Sequence, residues 1–586
     1  MLLLYAKGCR LLSKSFRNAS LNGPPRRFLS TVHEDYDVVI VGGGPAGLAL
    51  ASALGSREEL QNTLKIALVE AGDLSKVRDW SPPTDTFSNR VVSLTNASQA
   101  FLKDIGSWDH VEQQRTAPVE EMQVWDGISD ARITFSTSEL GFSTADHSGM
   151  ARLTETLNLQ RALLRHLKSI PTVQIIDQNK VQSIAVDEKP GSWPTVHLNT
   201  GRALKTRLLI GADGPNSPVR SFAKIPSYGW SYDTQAIVCT MEHPPKGSFL
   251  GPNTTAYQRF LPTGPIAFLP ISATVSSLVW STKPALSTAL KVCDPSVLAR
   301  MINAAFRLPD VSIRYLHDRI LEAHEAGKPM TDEEINAEII WREKSHSIDA
   351  TSAYSSIAPD VSSKARVPPS DAEMVPPIVT SIQAGTIASF PLRYNHTETY
   401  IGEGSGSRTV LVGDAAHTIH PLAGQGLNLG LGDVECLARC ITEAVLRGGD
   451  IGSYTVLLPY TQERYIENHK IMSACDKLHK IYSTSSGPLV QLRSVGLEVL
   501  NELDSIKVAI MMSAGSVSQT NDKHLSYNGD IRAMMFNIAA KGVENINTAA
   551  QVAQIIRGGL GGLAVNAIQN LAKATSSYQQ PRKDVS

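Results

Sequence analysis

Residues 37–55 read DVVIVGGGPAGLALASALG. Val38 to Val41 is a short, wholly apolar run, as expected of a parallel strand covered on both faces. It runs straight into Gly42-Gly43-Gly44-Pro45-Ala46-Gly47 and then into an Ala/Leu-rich stretch of helical character. Gly42 permits the tight turn, Gly44 lets a pyrophosphate approach the backbone, and Gly47 lets the helix pack close to the strand. The helix start then turns unpaired N–H groups and a positive dipole end toward phosphate. A second apolar strand, Lys65-Ile66-Ala67-Leu68-Val69, ends at Glu70, where a carboxylate can accept both hydroxyls of an adenosine ribose. Strand, glycines, helix, strand and acid fall in register and predict a dinucleotide site. The motif alone does not separate FAD from NAD.

Two later segments repeat the pattern of an apolar strand broken by a Gly-Asp turn. The first is LLIGADGPNSPVR, residues 208–220, in which Asp213 can bind backbone N–H groups as a structural Asx turn or contact a ribose hydroxyl. The second is VLVGDAAHTIHPLAGQGLNLG, residues 410–430. Asp414 is placed there to bind ribityl or ribose hydroxyls, and a helix beginning near Gly426 aims its amides at whatever lies before it. For a flavin that is the N(1)–C(2)=O edge, which becomes anionic on reduction and is stabilised by a helix N-terminus. His417 and His420 stand three apart beside a Pro/Gly turn with no third ligand, so both read as structural and no metal is expected.

These three ordered motifs resemble the aromatic-ring hydroxylases of the para-hydroxybenzoate hydroxylase type, the single-component flavoprotein monooxygenases. The resemblance implies an α/β fold: a Rossmann-like FAD-binding domain, an interleaved antiparallel β-sheet substrate domain, and C-terminal helices. FAD is the implied cofactor. Gly42, Gly44, Gly47 and Glu70 would hold its ADP half, with Asp213 near the pyrophosphate. Asp414 and the backbone of Leu427 and Asn428, at the helix start by Gly426, would hold the ribityl chain and the flavin ring. Arg90, in SNRVVSLTNAS, looks like the family's early flavin-contacting arginine, although a surface arginine before a helix is common. No second complete GxGxxG-plus-acid unit appears, which favours a hydroxylase over a two-nucleotide reductase. The implied reaction passes through a flavin hydroperoxide, so no catalytic side chain is expected.

Between the flavin segments, AYQRFLPTGPIAFLP (256–270) reads as two strands about a Pro-Thr-Gly-Pro turn, SLVWS (277–281) as another, and SFPLR (389–393) as the closing strand. Their apolar content suits plain sheet core or a pocket for a hydrophobic substrate. Expected boundaries are 35–225 for the first part of the FAD domain, 226–393 for the substrate sheet and 394–485 for the second FAD part. Residues 345–377, rich in Ser and Pro, read as a flexible insertion. The helical region and tail occupy 486–586, where Val552, Ile555, Ile556, Leu560 and Leu563 are spaced for a helix that docks on the core or binds a membrane or partner.

The 586 residues suffice for two or three domains, and 42% hydrophobic with 19% charged residues is ordinary globular composition. A net charge of -1 gives no basic surplus for nucleic acid. Six scattered cysteines without metal spacing suit a reducing compartment. Residues 1–30 carry Lys7, Arg10, Lys14, Arg17, Arg26 and Arg27 and no acid, with leucines able to share one helix face. That is the pattern of a mitochondrial transit peptide. A secretory signal or a basic tail are the rivals, and Lys7 and Arg10 interrupt a secretory apolar core.

QRFLPTGPIAFLP and HPLAGQGLNLGLGD further resemble the ubiquinone-biosynthesis hydroxylases, and PYTQERYIENHKIM with DKLHKIYS is similar to their mitochondrial branch, which acts on ring carbon 5. The similarity runs from about residue 35 to about 515. It implies a polyprenylated phenolic substrate, O2, and electrons from a ferredoxin and its reductase. It also implies a place in a multi-subunit ubiquinone-biosynthesis complex, peripherally bound on the matrix side of the mitochondrial inner membrane. The alternatives are a flavin epoxidase or reductase acting on a prenyl chain, and a flavin-stabilised scaffold subunit.

Overall fold

A computed structural model describes residues 33–502, except 62, 138–148, 188–190, 247–250 and 357–367, together with Lys507. The expected transit segment and the 508–586 tail lie outside the described residues.

The fingerprint strand His33–Val41 is central in a sheet whose order runs Val173–Ile176, Ile66–Val69, His33–Val41, Ala203–Gly211. These neighbours are parallel, and Thr409–Leu411 adds in parallel on the far side of Ala203–Gly211. Residues 38–41, Ile66–Val69 and residues 208–210 are apolar and buried, and the Ala-rich helix Pro45–Ser56 packs in the same core, burying nine consecutive residues from Gly47 to Gly55. Register sets where the motif turns lie. Val69 and Gly211 both pair with Val41, and Leu411 pairs with Gly211. The four strands therefore end in one row, and every motif turn begins at that row.

The second sheet orders His417–Thr418, Ala388–Thr397, Ser227–Glu242, Val275–Thr282, Gly264–Pro270, Thr255–Leu261, Glu121–Asp126 and Arg132–Ser136. Three differences from the expected layout stand out. Residues 121–136, read with the first FAD part, belong to this sheet, and Glu121–Asp126 joins Thr255–Leu261 in parallel, so the sheet is mixed rather than antiparallel throughout. Helices Pro284–Val292, Pro295–Arg307, Asp310–Glu325 and Asp332–Ser345 occupy a region expected to be strands. They cover one sheet face, where Ile237, Met241, Tyr257, Phe268, Leu278 and Trp280 pack on Leu290, Ile302 and Phe306. Finally, the flanks of the 345–377 insertion are anchored. Glu343 accepts from the Ser356 N–H (2.7 Å), Asp371 accepts from the Ala353 N–H (3.0 Å), and Arg307 donates to the Ala353 and Pro376 carbonyls. Local polarity suggests slack there, but buried partners elsewhere in the chain hold those flanks.

The helices Gly426–Leu446 and Tyr454–Tyr482 pack back against the parallel sheet, and Gly487–Asn501 comes after them. Among the described residues no helix is long and apolar enough to cross a membrane.

Candidate active site

The first glycines are shaped by contact. Gly42 has φ +114°, and a Cβ there would sit 2.2 Å from the Ala212 carbonyl oxygen; at Gly47 it would meet the Gly42 carbonyl oxygen at 2.0 Å. The fingerprint turn and the 208–220 turn thus touch, and only glycine fits between them. Gly44 differs, because a Cβ there would meet nothing within 4 Å among the described residues. It faces open space at the start of a helix that no side chain caps. Glu70 ties its own loop, accepting from the N–H groups of Gly43 and Gly72, each at 2.6 Å. Each carboxylate oxygen keeps a further lone pair for a ribose hydroxyl.

Asp213 accepts from the Val219 N–H (3.2 Å) through Oδ2, while among the described residues its buried Oδ1 has no hydrogen-bond partner. Burial raises its carboxyl above the ordinary range, with Ser217 pulling the other way. Arg220 then reaches across, donating to the Ala415 carbonyl at 2.8 Å, which fastens this turn to the one that bears Asp414. Gly413, at φ +59°, carries Asp414 at the row end, and a Cβ on Gly413 would contact Ala46 at 3.4 Å. The Asp414 side chain is open to solvent yet ringed by protein, as at the floor of a concavity. That crowding raises its carboxyl, opposed by His417, and the water that reaches it softens the effect.

The helix Gly426–Leu446 begins after a left-handed Gly424 (φ +60°), and no side chain caps its first turn. The amides at Gly426, Leu427 and Asn428 therefore begin a helix with a free positive end. Asn428 adds a side-chain tie that the sequence does not reveal. It donates to the carbonyls of Ser93 (2.8 Å) and Gly424 (3.2 Å) and accepts from the Thr95 N–H (3.1 Å). This fixes the helix start to Val91–Thr95, the strand that begins just after Arg90. The Arg90 loop is itself pinned: its carbonyl accepts from Thr156, and Ser88 donates to the buried Glu155, which pairs with Arg115 at 2.6 Å. The Arg90 side chain is exposed and meets none of the other expected residues directly.

Behind the Asp414 turn lies a polar cluster that sequence reasoning misses. Asp433, fully buried, takes hydrogen bonds from Gly413, His417, Arg464 and Asn468. Burial would raise its carboxyl, but His417 and Arg464 outweigh that and hold it down at about 2. The only signal in the sequence is an acid at a helical position of an otherwise apolar run.

Next to the helix start, a shallow cleft lies between Pro421 and Leu422 on one side and Gln258, Pro265, Ala267, Val279 and Ser281 on the other, on the sheet face opposite the four helices of residues 284–345. Phe260 on the same strand as Gln258 stacks on Tyr482 at 4.1 Å, so the end of Tyr454–Tyr482 flanks this region. His420 lies on that flank, its ring 4.7 Å from His479 and its Nδ1 accepting from Leu422. Burial lowers its pKa to about 3, which keeps it neutral. Among the described residues no cluster of His, Cys, Asp or Glu could hold a metal.

An open cradle at Gly44, an unpartnered buried oxygen on Asp213, an accessible acid at Asp414 and an uncapped helix start suit a dinucleotide that also carries polyol and ring-edge groups, as FAD does. The family described as FAD binding domain matches residues 35–291 and 371–474. Among solved structures, p-nitrophenol 4-monooxygenase PnpA from Pseudomonas putida aligns with TM-score 0.54 and 16% identity, covering 82% of this chain and 99% of that one. PqsL, a probable FAD-dependent monooxygenase from Pseudomonas aeruginosa, aligns with TM-score 0.51 and 20% identity over 79% of this chain and 99% of its own. These likenesses establish the fold. Fold, family match and site together define an FAD-binding flavoprotein.

Curated relatives then narrow the class. The ubiquinone biosynthesis monooxygenase COQ6 of Xenopus tropicalis is 38% identical over 495 residues, 83% of this chain and 95% of that protein. The Saccharomyces cerevisiae protein of the same description is 37% identical over 491 residues, and the Homo sapiens one 34% over 489; both are described as mitochondrial. The chain belongs to this COQ6 family.

Proposed function

We propose that this enzyme hydroxylates the aromatic ring of a polyprenylated phenol in ubiquinone biosynthesis, with FAD as cofactor. The observation that carries the reading is the single row of strand ends, from which the three motif turns face one concavity beside a cleft that Gln258 and Ser281 line together with apolar side chains. FAD, when bound, activates O2 so that one oxygen atom reaches the ring. The chain's own residues bind and orient. Gly42, Gly44 and Gly47 bring backbone against the pyrophosphate, and Glu70 takes the adenosine ribose. Asp213 and Asp414 accept from hydroxyls, the amides of Gly426, Leu427 and Asn428 stabilise negative charge on the ring edge, and Arg90 reaches the flavin from its pinned loop. Ala267, Val279, Pro421 and Leu422 exclude water from the reacting ring and leave an apolar wall for the prenyl chain.

On this reading no side chain acts as nucleophile. The electrons come from a ferredoxin and its reductase. The enzyme works on the matrix side of the mitochondrial inner membrane, as a peripheral member of a multi-subunit complex, where a prenylated substrate partitions. The test is to supply the purified, flavin-containing protein with a prenylated phenol, O2 and a ferredoxin reducing system, and to locate any added oxygen by mass spectrometry. One oxygen on the ring is expected. Oxygen in the prenyl chain, or none at all, would overturn the assignment. Rapid reduction of the flavin by NADPH alone would remove the ferredoxin part.

A further inference from the structure

Asp433 divides its carboxylate between two bodies. Oδ2 accepts from the Gly413 N–H at 3.1 Å and from His417 Nε2 at 2.6 Å, both on the segment that carries Asp414. Oδ1 accepts from Arg464 Nε at 3.0 Å and Asn468 Nδ2 at 2.9 Å, both on the helix Tyr454–Tyr482. We propose that Asp433 is the positioning residue of the cofactor turn and that, through Arg464 and Asn468, it couples cofactor binding to the helix that flanks the substrate cleft.

The packing supports a rigid joint. A Cβ on Gly432 would come within 2.8 Å of the Arg464 guanidinium, so the cofactor helix leaves space for Arg464 to lie flat against it. Arg464 also donates to Asn468 Oδ1 at 2.7 Å, and Asn468 donates to Tyr400 at 3.1 Å. Tyr400 meets His396 at 2.8 Å, and His396 meets Tyr228 at 2.9 Å. These contacts bind the middle of the long helix to the cofactor side at Tyr400 and, through His396 and Tyr228, to the second sheet. Its last turns bear His479 and Tyr482, which pack on His420 and Phe260 beside the cleft. One helix therefore touches both sites, and Asp433 is where it grips the turn. Linkage makes such a joint reciprocal: whatever orders the turn orders the helix to the same degree, and the converse.

Three of the four partners can only donate, and His417 donates in the tautomer protonated at Nε2. A carboxylate can accept from all of them, but an amide offers one accepting oxygen and one donating nitrogen. In Asp433→Asn the NH2 must face either the cofactor turn, where the Gly413 bond is lost, or the helix, where both bonds are lost, and in either case the charge that pairs with Arg464 is removed while shape is kept.

The inference rests on the reading of Asp414 as a cofactor ligand, and the experiment separates the two. FAD dissociation constants and amide exchange across residues 454–482, with and without FAD, are measured on the full chain. In the wild type FAD should slow exchange over 454–482. Asp433→Asn should weaken FAD by about tenfold or more and abolish that slowing. Asn468→Leu, which cuts only the helix side and keeps the Arg464 ion pair, should fold and still reduce the slowing. Wild-type FAD affinity in Asp433→Asn, or exchange over 454–482 indifferent to FAD, would sink the proposal. Asp414→Ala serves as the control: wild-type affinity there overturns the cofactor reading and this inference with it, whereas loss there with none in Asp433→Asn overturns this inference alone.

Discussion

At the scale of the residue, Asp414 stands where a carboxylate is held at a cost until something binds it. Crowding raises its pKa in the folded apoprotein. A carboxyl whose folded pKa is raised contributes stability that is present below its unfolded pKa and lost as pH rises through the folded one. At neutral pH Asp414 therefore opposes folding of the apoprotein, as does Asp213, whose shift has the same sign. Asp414→Asn should raise the melting temperature of apoprotein at pH 7 while weakening FAD. Melting curves with and without FAD check both halves, and a lower apoprotein melting temperature would contradict the account. Gly42 makes the complementary case. Its Cβ would lie 2.2 Å from backbone at φ +114°, so Gly42→Ala must push two strand ends apart. A loss of roughly 2–3 kcal/mol or more is expected in urea unfolding.

Elements show why some of the architecture is legible in the sequence and some is not. Strands that run apolar into a glycine turn or a terminal acid announce themselves locally, and His33–Val41, Ile66–Val69, Ala203–Gly211 and Thr409–Leu411 all do so. The helices from Pro284 to Ser345 escape that reading although signals exist. Thr331 and Glu334 form a capping box, Asp294 caps at Ser296, and Thr255–Leu261 is buried at every position, which demands cover on both faces. The joints between elements are not legible, because each needs two distant side chains to meet. Asn428 with Ser93 and Asp433 with Arg464 are of this kind. So is Arg493, which pairs with buried Asp126 and donates to the carbonyls of Ile481 (2.9 Å) and Thr484 (2.8 Å). It clamps the helix Gly487–Asn501 to both the sheet edge and the helix before it. Arg493→Met should cost about 3 kcal/mol, since Asp126 is left buried without its cation but keeps two backbone donors. Denaturant unfolding, with limited proteolysis at 487–501, measures this; a loss under about 1 kcal/mol would mean the clamp is incidental.

For the whole molecule, acid is the revealing variable. Asp433 is held down at about 2 against an ordinary 3.8, so its contribution is present above the ordinary value and lost as pH falls toward 2. Asp414 and Asp213 titrate in the opposite sense, protonating at higher pH than an ordinary aspartate. Acidification should therefore release FAD before it unfolds the chain: the ligand acids lose charge first, and the joint behind them lasts longer. Flavin fluorescence recorded alongside far-UV circular dichroism tests the order. Coincident transitions would contradict it.

The level row of Val69, Val41, Gly211 and Leu411 also has a consequence in time. Its members are joined by long stretches of chain, and closing such loops is slow compared with forming any local turn. A growing or refolding polypeptide that ends before residue 409 lacks the outer strand and the acid just beyond it, so the concavity is completed late. FAD then arrives as the closing piece, and it stabilises the finished fold in proportion to the logarithm of its free concentration over its dissociation constant. The amount of folded protein that persists becomes a gauge of flavin supply.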